Sequence, residues 1–192
     1  MLSSRRLLAL ALLAALWLGP LPGLAAGSMV LHMGLHLGVT AVVPALWAPK
    51  LPLPSGAMAL VLGAVAEMAV VWVWHLPAMH LWARLSPTGL VLEQGSFLIA
   101  GLMLWASVRA AGGFGGAVVL LATTMHMTLL GALIGLAPRT LYGDICAGHL
   151  GLSVLQEQQV AGALMAGAGG AIYLVAALRR LGQALDLKEA QA

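Results

Sequence analysis

The chain has 192 residues, 61% of them hydrophobic and only 8% charged, with a formal net charge of +3. A mean hydropathy of +1.00 excludes a soluble domain, which carries roughly 25% charged residues, and excludes intrinsic disorder, which needs low hydrophobicity. Nine scattered Lys and Arg make no nucleic-acid footprint, and a single cysteine, Cys146, excludes an internal disulfide framework.

What remains is an all-α fold, a polytopic transmembrane helical bundle in a lipid bilayer. Residues 1–27 read as a leader: Arg5 and Arg6 form a positive n-region, Leu7 to Leu18 an apolar stretch, and small residues follow. It is a signal peptide or, where retained, a signal-anchor helix. Residues 28–182 carry five apolar segments, at 29–47, 56–76, 90–109, 115–136 and 158–178. Each is close to the ~20 residues that cross a hydrocarbon core. Lipid offers no hydrogen bonds to a bare backbone, so each must be helical. Pro49, Pro52, Pro54, Pro77 and Pro138 fall between them. Residues 183–192 read as a cytoplasmic tail. The last span carries Gly162, Ala166, Gly167 and Gly170, a small-residue face for close packing.

Alternating the segments places Arg5, Arg6, Lys50, Arg109, Arg179, Arg180 and Lys188 on one side, with only Arg84 and Arg139 on the other. The positive side is cytoplasmic, which predicts a multi-pass protein of the bacterial inner membrane whose opposite face meets the periplasm. Most of the unusual polar residues fall on that outer half. His32 and His36 lie in the first span and His75 ends the second, with His80 just beyond. Glu93 and Gln94 open the third span, His126 sits near the middle of the fourth, His149 lies in the outer loop, and Glu157 and Gln158 open the fifth. The 137–157 connection is long for a structureless link and reads as a lid or docking element. Trp47, Trp72, Trp74 and Trp82 near segment ends read as an interfacial belt.

His32 and His36 share a helix face at i, i+4, and Met29 and Met33 fall on the same stripe. Ionisable side chains in a span face the bundle interior. Neutral imidazole with soft thioether favours Cu(I) over Mg, Ca or Mn, and burying one charge costs far less than burying two. The primary metal ligands expected are therefore His32, His36 and His75, with His126 as a deeper one, Met29 and Met33 at the mouth and Glu93 as the compensating charge. Glu67, on one face with Val71 and His75, is a secondary candidate, as are His80, His149, Cys146, Glu157 and Gln158. Taken singly, His80 and His149 also read as interhelical hydrogen-bond partners, and Cys146 as an ordinary loop residue.

His32-Met33-x-x-His36, Trp74-His75-Leu76-Pro77, Leu92-Glu93-Gln94 with Phe97 and Trp105, and Leu155-x-Glu157-Gln158-Gln159-x-Ala161-Gly162-x-x-Met165 occur in one order. Over roughly residues 29–180 the chain resembles the CtaG-type membrane family of cytochrome c oxidase assembly factors. The resemblance implies copper supply to a heme–copper oxidase subunit, with the copper donor unspecified. It also implies functional roles for His32, His36, His75, Glu93, Glu157 and Gln158. The chain departs from the family in having five spans rather than about seven, Glu157 in place of Asp, and Gln94 where a His is frequent. A Cu(I) carrier with no catalytic activity is the leading expectation. A heme-binding membrane cytochrome, a metal-dependent membrane enzyme and a metal-free assembly scaffold are the alternatives.

Overall fold

The structure is a computed structural model that describes residues 3–47, 57–111, 113–143 and 151–189. All regular structure among the described residues is helical. Helix α1 (Ser4–Leu18) leads through a short α2 (Leu21–Ala25) into the first span, α3 (Met29–Trp47). The other spans are α4 (Ala57–Trp74), α6 (Pro87–Ala110), α7 (Gly113–Gly135) and α8 (Val154–Asp186). Between α4 and α6 lies α5 (Pro77–Leu85). All five helices are long and apolar enough to cross a membrane, in agreement with the predicted count.

The outward faces of these helices are greasy. Val61, Leu62, Val65 and Met68 of α4 are each at least 41% exposed, an arrangement that suits acyl chains and would be costly in water. The inward faces bury Val71, Phe97, Leu104, Leu120, Ile134 and Tyr173. Small residues set the spacing. A Cβ at Gly162 would collide with the backbone of Gly131 and Gly135, and one at Gly101 with the Thr40 carbonyl. The predicted small-residue face thus meets α7 through Gly162, whereas Gly167 faces open space.

Two spans contain a π-helical turn, Gly38–Val42 in α3 and Met165–Gly169 in α8. In α3 the cause lies two residues on. Pro44 has no N–H to give the Thr40 carbonyl, and the ladder slips so that Val43 N–H reaches Gly38 O. The Thr40 carbonyl stands against Gly101.

Several boundaries differ from the predicted ones. The third span starts at Pro87 rather than 90, because Ser86 caps it by accepting from Gly89 N and proline suits the first helical turn. The last helix starts at Val154, with a capping box from Ser153 and Gln156. It runs past the predicted end at 178 and into the segment read as a tail. Pro77 does not merely end α4. It opens α5, which carries His80 and Arg84 one turn apart. Trp74, at the end of α4, faces inward rather than outward: it is buried, stacks on Trp82 at 5.8 Å and donates to Ser96 Oγ at 2.7 Å.

Candidate metal centre

Four imidazoles converge at one end of the bundle. Met29 and His36 are seven positions apart, about 10 Å along α3. His75 follows the C-terminus of α4, His80 sits on α5, and Glu93 is six residues into α6. The His32 and His36 rings lie 4.1 Å apart between centroids, His32 and His80 5.1 Å, and His36 and His75 5.8 Å. Phe97 closes one side, 4.4 Å from His36. All four histidines are buried, and Glu93 has no exposed surface.

His32, His36 and Glu93 offer ligand atoms that lie within 4.8 Å of one another. Glu93 Oε1 stands 3.6 Å from His32 Nε2 and 3.5 Å from His36 Nε2. His32 Nε2, His80 Nε2 and Glu93 Oε1 are buried with no hydrogen-bond partner. A buried polar atom without a partner costs about 1–3 kcal/mol. Such atoms in one chamber suit a cation, to which Glu93 Oε1 offers a lone pair directly and an imidazole Nε2 offers one when its ring proton sits on Nδ1.

The far sides of the rings set their tautomers. A guanidinium only donates, so His32 Nδ1 accepts from Arg84 Nη1 at 2.8 Å and the ring proton sits on Nε2. Arg84 also donates to the Ala25 and Ala26 carbonyls, which locks its position. His75 is the reverse: its Nδ1–H donates to Val71 O at 2.6 Å, leaving Nε2 as a lone-pair site. A ring N–H given to a backbone carbonyl is the usual support of a metal-ligating histidine. Gln94 Nε2 lies 3.3 Å from His36 Nδ1 and 3.2 Å from Glu93 Oε2. Gln94 thus orients the His36 ring. Burial lowers the pKa of both His75 and His80, and His80, with His32, His75 and Arg84 nearby as well, is pushed down to about 2. Both are neutral at physiological pH, the form in which imidazole ligates.

A small internal cavity of about 10 Å³ adjoins this cluster, lined by Met33, Met127 and Met165 together with His36, His75 and Phe97. Met33 therefore lies inside the bundle and not at a mouth. Met29 is buried in the hydrophobic core. Tyr142, in the connection expected to act as a lid, rests its ring 4.4 Å from His80 and donates its hydroxyl to His75 O at 3.0 Å.

Other expected site residues lie elsewhere. His126 Nε2 pairs with Glu67 Oε2 at 2.8 Å. Glu67 is eight residues before His75, about 12 Å along α4, so this pair forms a separate, deeper station. Glu157 accepts from Ser28 Oγ at 2.9 Å and from Val30 N at 3.0 Å, tying the start of α8 to the start of α3. Gln158 accepts from Leu141 N at 2.7 Å and donates to Ile134 O at 3.1 Å and Arg139 O at 3.2 Å, holding the connection after α7. His149 and Cys146 lie outside the described residues. Sequence reasoning missed Arg84 and Met165 as contributors. The signal for Arg84 was its i, i+4 spacing from His80.

Comparison with known proteins gives one match. Residues 57–186 fit the family described as cytochrome c oxidase caa3 assembly factor (Caa3_CtaG). That stretch contains His75, His80, Glu93 and His126, while His32 and His36 precede it. No curated protein and no solved structure matches the chain.

Proposed function

The chain belongs to the cytochrome c oxidase caa3 assembly factor family, and from that premise we propose that it carries Cu(I) in the four-histidine chamber for an oxidase subunit. The observation that supports this reading is the set of buried, partnerless atoms on His32, His80 and Glu93. A monovalent ion is the best fit because, among the described residues, Glu93 is the carboxylate beside the imidazoles and Arg84 already brings a positive charge to His32, so a divalent ion would add a larger excess of charge in low dielectric. The three thioethers of the adjoining cavity favour a soft ion. A cavity of about 10 Å³ is roughly one water in size and has no room for a porphyrin, which disfavours the cytochrome alternative.

On this reading the chamber faces the periplasm, because the arginine-rich helix ends lie at the other end. His75, at 8% exposure the most accessible of the four, receives the ion. His36, His32 and Glu93 hold it. Ligation through His32 Nε2 shifts the ring proton to Nδ1 and breaks the Arg84 contact, so the site spends part of its binding energy on releasing a latch. A carrier benefits from that cost, since it must give its cargo up. No bond of a substrate is made or broken, so the reading is non-catalytic.

The test is to load the purified protein with Cu(I) under reducing conditions and count bound metal. One tightly held ion per chain is expected, lost in the His32→Ala/His36→Ala double variant. Full stoichiometry in that variant, with helicity and monodispersity intact, rejects the ligand assignment. A Soret band in the native preparation would favour heme instead.

A further inference from the structure

The opposite end of the bundle holds a cleft of about 920 Å³. Four of the nine basic residues line it: Arg5 from α1, Arg109 from the end of α6, and Arg179 and Arg180 from α8. Among the described residues, none of those lining it is acidic. Basic residues at cytoplasmic helix ends are expected of any inner-membrane protein. What is particular here is that three helices aim theirs at one hollow.

The wall of that hollow is graded. Along α8 the lining residues are Ala171, Ile172, Val175 and Ala176, then Arg179, Arg180 and Gln183. They recur at helical spacing, so one stripe about 18 Å long passes from apolar to cationic. Ala45 and Leu46 of α3 continue the apolar part, and Trp105 adds a ring whose stacking partner, Tyr173, lies 6.0 Å away. The apolar section belongs to the segments that cross the bilayer and the arginines to their ends. A soluble anion would use the charges and leave the greasy wall idle. A ligand that matches both has a phosphate at one end and acyl chains at the other.

We propose that this cleft is a binding site for an anionic phospholipid of the cytoplasmic leaflet, with its phosphate among the guanidiniums and a chain along the α8 stripe. Guanidinium is well suited to the role, since its planar fork grips phosphate through paired N–H bonds. Basic pockets between helices on the cytoplasmic side are chemically suited to such headgroups. The site is independent of the metal chamber at the other end, and its test does not depend on copper.

The full chain, purified in mild detergent and offered phosphatidylglycerol or phosphatidylcholine, is examined by native mass spectrometry after a delipidating wash. Phosphatidylglycerol is expected to stay bound and phosphatidylcholine to wash off. The Arg109→Gln/Arg179→Gln/Arg180→Gln variant is expected to retain roughly tenfold less or lower still, and added salt weakens binding in the wild type. Should that variant fail to fold, Val175→Trp decides, because it blocks the apolar wall and keeps every charge; it is expected to lose the lipid too. Excess inorganic phosphate distinguishes the sources of the anion. If phosphate alone displaces the lipid, or if the tryptophan variant keeps it in full, the ligand is a free anion and the proposal is overturned. Equal retention of the two lipids overturns it as well.

Discussion

Replacing Glu93 with glutamine keeps the shape of the side chain and removes its charge. The carboxylate is fully buried and stands 3.5 and 3.6 Å from the two Nε2 atoms that would hold the ion. An ion between them lies roughly 4 Å from the carboxylate charge. At an effective dielectric of about 20, two unit charges at that distance attract by about 4 kcal/mol. One tenfold change in affinity corresponds to about 1.4 kcal/mol, so the full effect is near a thousandfold. Part is recovered as the amide oxygen turns toward the ion, and the expected weakening is about 10²–10³-fold. Competition against a chromophoric Cu(I) chelator under anaerobic, reducing conditions measures it. Glu67→Gln is the control, since Glu67 belongs to the deeper pair with His126; binding within about threefold of wild type is expected there. If Glu93→Gln binds as tightly as wild type, the ion does not sit beside this carboxylate and the chamber reading fails.

Tyr142→Ala removes the ring that rests on His80 and should speed Cu(I) release by about tenfold or more while slowing nothing in loading, because it opens a path without removing a ligand; stopped-flow transfer to a chelator reads this, and an unchanged release rate rejects the lid. Gly101→Ala drives a methyl group into the Thr40 carbonyl and should cost about 1–3 kcal/mol by overpacking, seen as a lower thermal midpoint in detergent, whereas Gly167→Ala meets open space and should be neutral or stabilising. The metal-free protein should lose stability on acidification. His80 has its pKa pushed down to about 2 and that of His75 is lowered as well, so only the unfolded chain takes up these protons as the pH falls through about 6.5. Each such histidine then costs about 1.4 kcal/mol per pH unit. A thermal midpoint that is level from pH 8 to about pH 5 would contradict neutral burial of these rings.

The five spans were legible because lipid enforces length and apolarity, and both are written locally. The His32/His36 face was legible for the same reason: period and spacing on one helix state which side chains share a side. What joins different helices carries no such local mark. His80 looked peripheral because it follows Pro77, yet that proline starts α5 and turns the imidazole to within 5.1 Å of His32. His126 was placed deeper than the other histidines by its position near the middle of its span, and its pairing with Glu67 on another helix carried no local mark. Arg84 was read only as a charge that orients the chain, although it sets the tautomer of His32. Glu157 and Gln158, singled out by resemblance, satisfy backbone and hydroxyl groups at helix ends. Unpaired amides at a helix start attract such side chains, and a motif alone does not separate that use from chemistry.

The Glu157 carboxylate on Ser28 and Val30 makes the first span depend on the last. The first span emerges from the ribosome long before the last, and until Glu157 arrives the opening turn of α3 lacks its anionic cap. Met165, one wall of the thioether-lined hollow, arrives later still. A nascent chain stalled after α7 therefore presents His32 and His36 in an unfinished setting, with loose geometry and open flanks. On the copper reading proposed above, the four histidines and Glu93 are all in place before α8, and the last insertion step closes the setting around them.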